Sequence, residues 1–137
     1  MIVRTSILAV FCFTLTTAVK ANAQDFESQL DEIASYSNSV SMLCKENEVS
    51  GVKLAYVIQD RNEAIQNFLD GAYYWHNQGY TEYAKTKMFG VRKQASDMRD
   101  AAFDLYYESP QDQYVAYYSW IYAQSMMIVA NEVLNTL

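Results

Sequence analysis

The chain has 137 residues, of which 51% are hydrophobic and 19% are charged, and its formal net charge is −6 at pH 7. This length predicts a single domain. The acidic balance disfavours nucleic acid and anionic lipid as partners, because both repel an acidic protein at long range. A basic protein, in contrast, would be attracted to it.

The first 23 residues have the three parts of a secretory signal peptide. Arg4 belongs to a short basic start, SILAVFCFTLTTAV forms an apolar core, and ANA at residues 21–23 supplies the small residues that a signal peptidase requires. We therefore predict cleavage before Gln24 and a helical domain over residues 24–137. The protein would be exported, to the periplasm or to the cell exterior.

Cysteine usage is consistent with a domain that contains no disulfide. Cys12 would leave with the signal peptide, so Cys44 would be alone in the exported chain and no intrachain disulfide could form. Cys44 is in phase with the apolar face of the first helical segment, and free cysteine is among the most buried residue types. We predict that it is buried; the alternatives are an intermolecular disulfide or a reactive thiol.

Apolar residues recur with helical periodicity in four segments. The first three run from about Asp25 to Lys45, from Val52 to Asn77 and from Thr81 to Glu108, and the fourth occupies the remainder of the chain. Short connections between long helices favour antiparallel neighbours. The sequence therefore predicts an all-α, up-down-up-down four-helix bundle.

The third segment has the most regular pattern, in which apolar residues alternate steps of four and three as in a heptad repeat. This seam consists of Ala84, Met88, Val91, Ala95, Met98, Ala102 and Leu105. Its alanines would let a neighbouring helix approach closely. Gly90 lies within the same segment, where glycine costs about 1 kcal/mol relative to alanine. It marks either a close contact or a tolerated weakness.

The fourth segment begins at the motif SPQD and continues into an uncharged stretch, Tyr114–Ala130. Ser109 is suited to cap a helix, Pro110 to its first position and Asp112 to its first turn. A membrane span would not need the narrow polar stripe that runs along this helix. We predict no membrane span, but a buried bundle helix or one shared in a homodimer. The stripe comprises Gln113, Tyr117, Gln124, Asn131 and Asn135.

Known catalytic and cofactor-binding patterns are not found in the sequence. His76 is the only histidine, so the paired Glu-x-x-His motifs of di-iron bundles cannot occur. Haem-attachment motifs, glycine-rich phosphate loops and nucleophile elbows are also missing. We predict a protein that is not an enzyme and that carries no cofactor or metal ion.

Tyrosine is the residue type in excess, and ten of the twelve tyrosines gather at two predicted turns. Those at the second turn lie mostly on flanks of the fourth helix that packing already explains. At the first turn, three successive rings at 100° intervals cannot all face inward. We predict that this turn binds a partner, although the rings could instead cap the core. The candidate residues are Tyr73, Tyr74, Trp75, His76 and Tyr80.

These observations favour an exported, non-enzymatic protein-binding domain, such as an inhibitor, an immunity protein, an adaptor or a chaperone. Large aromatic side chains with a polar tip suit such a surface. The alternative is a bundle that carries a small ligand or cofactor in an interior lined by tyrosine, tryptophan and methionine.

Overall fold

A computed structural model describes residues 25–47 and 53–136 of the chain. The predicted signal peptide, its cleavage site and Cys12 lie outside the described residues. Within the described ranges there are four α-helices and no strand, which confirms the all-α prediction. They are α1 (Phe26–Glu46), α2 (Lys53–Asn77), α3 (Thr81–Glu108) and α4 (Gln113–Thr136), and a 3₁₀ turn (Pro110–Asp112) precedes α4.

Neighbouring helices in the bundle run antiparallel. On α1 and α2, Asp31 bonds to Tyr73 whereas Ser37 bonds to Asn62, so residue numbers rise on one helix as they fall on the other. The same relation holds between α3 and α4, where Arg92 bonds to Asn131 and Arg99 bonds to Gln124. Each helix packs on the next, and α1 closes the ring against α4.

The core is built from the apolar face of each helix, and the heptad seam of α3 lies at its centre. All seven seam residues, from Ala84 to Leu105, are fully buried. The α2–α3 and α3–α4 interfaces are the most extensive in the bundle, and the α1–α2 interface is the least extensive. Small alanine side chains explain this difference, because they let α2 and α4 pack closely on α3.

Gly90 marks a close contact between helices. A Cβ atom built at this position would lie 2.5 Å from Cε1 of Phe68, far inside normal contact distance. The ring of Phe68 on α2 therefore lies directly over the α3 backbone. The missing side chain makes room for that ring, which accounts for a glycine in the interior of a long helix.

The start of α4 differs from the predicted cap. The hydroxyl of Ser109 makes no bond to a backbone amide; it donates instead to Oδ2 of Asp112 at 2.8 Å, and both side chains are buried. The backbone N–H of Asp112 donates to the Ser109 carbonyl at 3.0 Å. This tighter turn holds Pro110–Asp112 in a 3₁₀ conformation, so α4 begins only at Gln113.

The uncharged stretch Tyr114–Ala130 lies within α4 and contributes much of its buried face. Among the described helices none is long and apolar enough to cross a membrane. Two residues of the predicted polar stripe, Gln124 and Asn131, accept hydrogen bonds from Arg99 and Arg92 of α3. The stripe is therefore largely the edge along which α4 meets α3.

Candidate functional site

The predicted site lies at the turn that connects α2 to α3. The backbone N–H of Tyr80 donates to the Trp75 carbonyl at 2.9 Å, and that of Gly79 donates to the His76 carbonyl at 3.0 Å. This pair of bonds ends α2 in a Schellman motif, which needs a left-handed residue at the position of Gly79. Gly79 has φ +83°, and a side chain there would be strained. The turn is therefore tightly defined.

Three tyrosines and one tryptophan form a connected aromatic cluster at this turn, which we call the end cluster: Tyr74, Trp75, Tyr80 and Tyr83. Trp75 is half-buried, and its ring centroid lies 5.0 Å from that of Tyr74, 5.8 Å from Tyr80 and 5.0 Å from Tyr83. The three tyrosines are 56%, 55% and 56% exposed, respectively. They present a continuous aromatic surface to solvent.

The other two predicted residues, Tyr73 and His76, anchor the end of α2 to the start of α1. The Tyr73 hydroxyl donates to Oδ1 of Asp31 at 2.5 Å, and the His76 ring lies 4.9 Å from the buried ring of Phe26. Burial and the neighbouring Asp31 carboxylate raise the pKa of Tyr73 well above its usual range. Tyr73 and His76 therefore hold the end of α2 against α1, whereas Tyr74 and Tyr80 are exposed to solvent.

Tyr83 joins the end cluster, although the sequence did not single it out as a site residue. Its ring centroid lies 5.8 Å from that of Tyr80, three residues earlier. Residues three apart share a helix face. This three-residue spacing is the sequence feature from which the contact between Tyr80 and Tyr83 could have been predicted. The contact with Trp75 could not be read from spacing, because it crosses the turn.

The tyrosines at the second predicted turn, between α3 and α4, are more exposed than the sequence suggested. Tyr107 and Tyr114 are exposed, and so are Phe103 and Trp120, which sequence reasoning did not assign to any site. Only part of this group, including Tyr118 and Tyr122, packs against the core as predicted. The two aromatic surfaces lie at opposite ends of α3.

Cys44 is buried on the inner face of α1, as predicted. Burial raises the pKa of its thiol to about 11, so the thiol is protonated at neutral pH. The thiolate is the reactive form of cysteine. This environment disfavours a reactive thiol and accords with a packing role.

The residues described hold no group of three or more His, Cys, Asp or Glu side chains that could bind a metal ion. Met88 is fully buried in the seam. The largest fully buried side chains of the described bundle are Leu, Ile, Met and Val, and no tyrosine or tryptophan is among its buried residues. Phe26 is the one aromatic side chain among the buried residues described, so the interior is mainly aliphatic.

One electrostatic feature of the bundle lies between α1 and α4, where Glu32 and Glu132 are both half-buried. Burial raises the pKa of Glu32, although a hydrogen bond from the Tyr36 hydroxyl opposes the shift. Burial and then the charge of Glu32 raise the pKa of Glu132. Both groups therefore destabilise the folded state when they are ionised.

We expect Glu132→Gln to raise the melting temperature at pH 7. A carboxyl group whose pKa is raised in the folded state lowers stability as the pH rises from its ordinary pKa to the folded pKa, and the full penalty persists at higher pH. The penalty disappears below the ordinary carboxyl pKa, so the gain should vanish at about pH 4. Thermal melts followed by circular dichroism at both pH values measure the effect. Glu63→Gln, at an exposed site on α2, is the control, and an equal gain from it would contradict this account.

The fold and the site together describe a small helical bundle with an exposed aromatic surface at one end. No protein-family model, curated protein or solved structure matches this chain. The function is therefore argued from the geometry of the end cluster.

Proposed function

We propose that this protein is an exported, non-enzymatic domain that binds another protein through the end cluster. The partner would meet Tyr74, Tyr80 and Tyr83 at the turn between α2 and α3. Export rests on the N-terminal signal-peptide pattern of the sequence. The acidic net charge of −6 favours a partner with a basic surface.

The observation that carries the proposal is the exposure of three tyrosines whose rings all contact the half-buried Trp75. Each is more than half exposed, yet their rings are held around Trp75 at centroid distances of 5.0–5.8 Å. Pre-ordered rings lose little conformational entropy on binding. Tyrosine and tryptophan are also the side chains most enriched at the energetic centres of interfaces.

The anchoring of Tyr73 and His76 supports the same proposal. Their contacts with Asp31 and Phe26 fix the end of α2 against α1. The end cluster is therefore presented by two joined helices and a Schellman turn, and it does not sit on a loose loop. Rigid presentation of this kind is what a pre-formed binding surface requires.

The test is affinity capture with the tagged protein from an extract of its own compartment, followed by mass spectrometry. We expect a specific partner to be captured by the wild-type protein. The double variant Tyr74→Ser/Tyr80→Ser should lose it, because removal of an interface anchor costs about 2 kcal/mol or more, or about 30-fold in affinity. Unchanged thermal melts would show that the variant is folded.

Tyr56→Ser is the matched control, because Tyr56 is a tyrosine of α2 with 53% exposure that lies outside the end cluster. It should capture the partner as the wild-type protein does. The proposal is wrong if the wild-type protein captures no specific partner, or if the double variant retains that partner in full.

A further inference from the structure

A second aromatic surface lies between α3 and α4, near the opposite end of α3. Five rings line a cavity of about 270 Å³ there, and the buried Ala102 and Ala116 form its floor. The two small side chains let the helices approach each other while leaving space between the rings above them. We call this surface the aromatic groove; its rings are Phe103, Tyr106, Tyr107, Tyr117 and Trp120.

The rings of the aromatic groove are accessible and partly ordered. Phe103 is 54% exposed, Tyr107 is 70% exposed and Trp120 is 37% exposed. On the α3 side, the Tyr107 ring centroid lies 5.2 Å from that of Phe103 and 5.3 Å from that of Tyr106. Exposed aromatic patches of this kind are typical of interaction sites.

The groove continues along the same helix pair into an acidic region. Phe103 and Trp120 also line an adjoining cavity of about 440 Å³, together with Arg99, Asp100, Asp104 and Gln124. Asp100 and Asp104 are exposed and lie four residues apart on one face of α3. The edge of the aromatic groove is therefore lined by carboxylates.

The only cation in this region is already engaged. Arg99 Nη1 donates to Gln124 Oε1 at 3.3 Å, and Arg99 Nε lies 3.5 Å from Asp100 Oδ1. After Arg99 the sequence contains no lysine, arginine or histidine. Asp104 takes part in no ion pair among the described residues. Its charge is left for a partner to neutralise.

We propose that the aromatic groove binds an arginine-bearing extended segment of a partner protein. A guanidinium group stacks favourably on aromatic faces through cation–π attraction and pairs with carboxylates through two parallel hydrogen bonds. The rings would take the planar face and the aliphatic stem, while Asp104, with Asp100 one turn earlier, would accept the hydrogen bonds. Charge complementarity between an acidic edge and a basic segment selects this occupant.

A second copy of the chain fits the groove less well. In a symmetric dimer the same patch meets itself, so Asp100 and Asp104 of one copy would lie against the carboxylates of the other. Like charges in such a contact repel each other, and the stretch after Arg99 offers no cation to compensate. The inference is independent of the end cluster, because the two surfaces share no residue.

The experiment titrates the purified protein into a fluorescein-labelled octapeptide of alternating arginine and glycine, at low salt. We expect saturable binding, which the double variant Asp100→Asn/Asp104→Asn should weaken by about tenfold, as should Phe103→Ala/Tyr107→Ala. In a Trp75→Phe background Trp120 is the single tryptophan, since the chain has two. Its fluorescence should then change on binding. An octapeptide of alternating glutamate and glycine should not bind.

The matched control for charge is Asp60→Asn/Glu63→Gln, which removes two exposed carboxylates from α2. The matched control for an exposed ring is Tyr56→Ser. Both should bind the peptide as tightly as the wild-type protein. Absence of saturable binding would overturn the proposal, and so would equal weakening by the charge control, which would indicate only general attraction to an acidic protein. A dimer in sedimentation velocity that Phe103→Ala/Tyr107→Ala dissociates would also overturn it, because the groove would then hold a second copy.

Discussion

Replacing Ala95 by glutamate should unfold the domain or bring it close to unfolding. Ala95 is fully buried near the middle of α3, in the seam against which α2 and α4 pack most extensively. An unpaired carboxylate at such a position costs on the order of several kcal/mol, in addition to the steric cost of the longer side chain. Domains of this size are stable by only about 5–15 kcal/mol. Thermal melts followed by circular dichroism at pH 7 measure the loss.

The control for Ala95→Glu is Thr86→Glu, which adds the same carboxylate to an exposed position on the same helix. Its effect should be about 0.5 kcal/mol or less, as for most surface substitutions. An Ala95→Glu variant that melts at the wild-type temperature would show that the seam of α3 does not form the centre of the bundle.

Asn62→Ala should lower the free energy of unfolding by about 2–4 kcal/mol. Asn62 is buried on α2, where its amide nitrogen donates to the Ser37 carbonyl at 3.1 Å and to the Ser41 hydroxyl at 2.8 Å. Its amide oxygen accepts from the Ser37 hydroxyl at 2.8 Å. Truncation removes all three hydrogen bonds and leaves a void, so the buried Ser37 hydroxyl loses its acceptor. Urea denaturation should show a lower midpoint with an unchanged slope.

Gln66→Ala provides the comparison for Asn62→Ala. Gln66 also lies on α2 and donates to the same Ser41 hydroxyl, at 3.1 Å, but from a more exposed position. Water can replace that bond, so the loss should be below about 1 kcal/mol. Equal effects of the two variants would show that the Asn62 hydrogen bonds contribute little beyond surface contacts.

This polar network has a specific place in the architecture. It crosses the α1–α2 interface, which is the least extensive of the four between helices. Buried polar groups that are fully paired restrict the ways in which two helices can be arranged. We therefore expect Asn62 to hold α1 and α2 in one register where apolar packing alone is weakest.

The sequence alone was sufficient for the fold class, for three of the four helix starts to within a residue or so, and for most of the core. The seven seam residues of α3 and Cys44 on α1 were assigned to the inside, and all are buried. These properties follow from the spacing of apolar residues along one helix. That spacing is local, so it can be read without knowledge of the neighbouring helices.

The start of α4 and the division of the predicted site needed the structure. Serine is a residue type favoured at helix N-caps, but the Ser109 hydroxyl donates to the buried Asp112 carboxylate instead. Tyr73 and Tyr74 are adjacent in sequence, yet one is fixed to Asp31 and the other is exposed. In both cases a competing partner determines the outcome, and composition does not identify that partner.

Contacts between helices were decided only by the tertiary structure. Three features each bring together residues of different helices: the Ser37–Asn62 bonds, the Phe68 ring over Gly90, and the groove that Phe103 and Trp120 both line. The periodicity of a helix shows which face turns inward, but not how far that helix slides or rotates against its neighbour. Slide and rotation emerge from the simultaneous packing of all four helices, since side chains must interdigitate without voids or overlap.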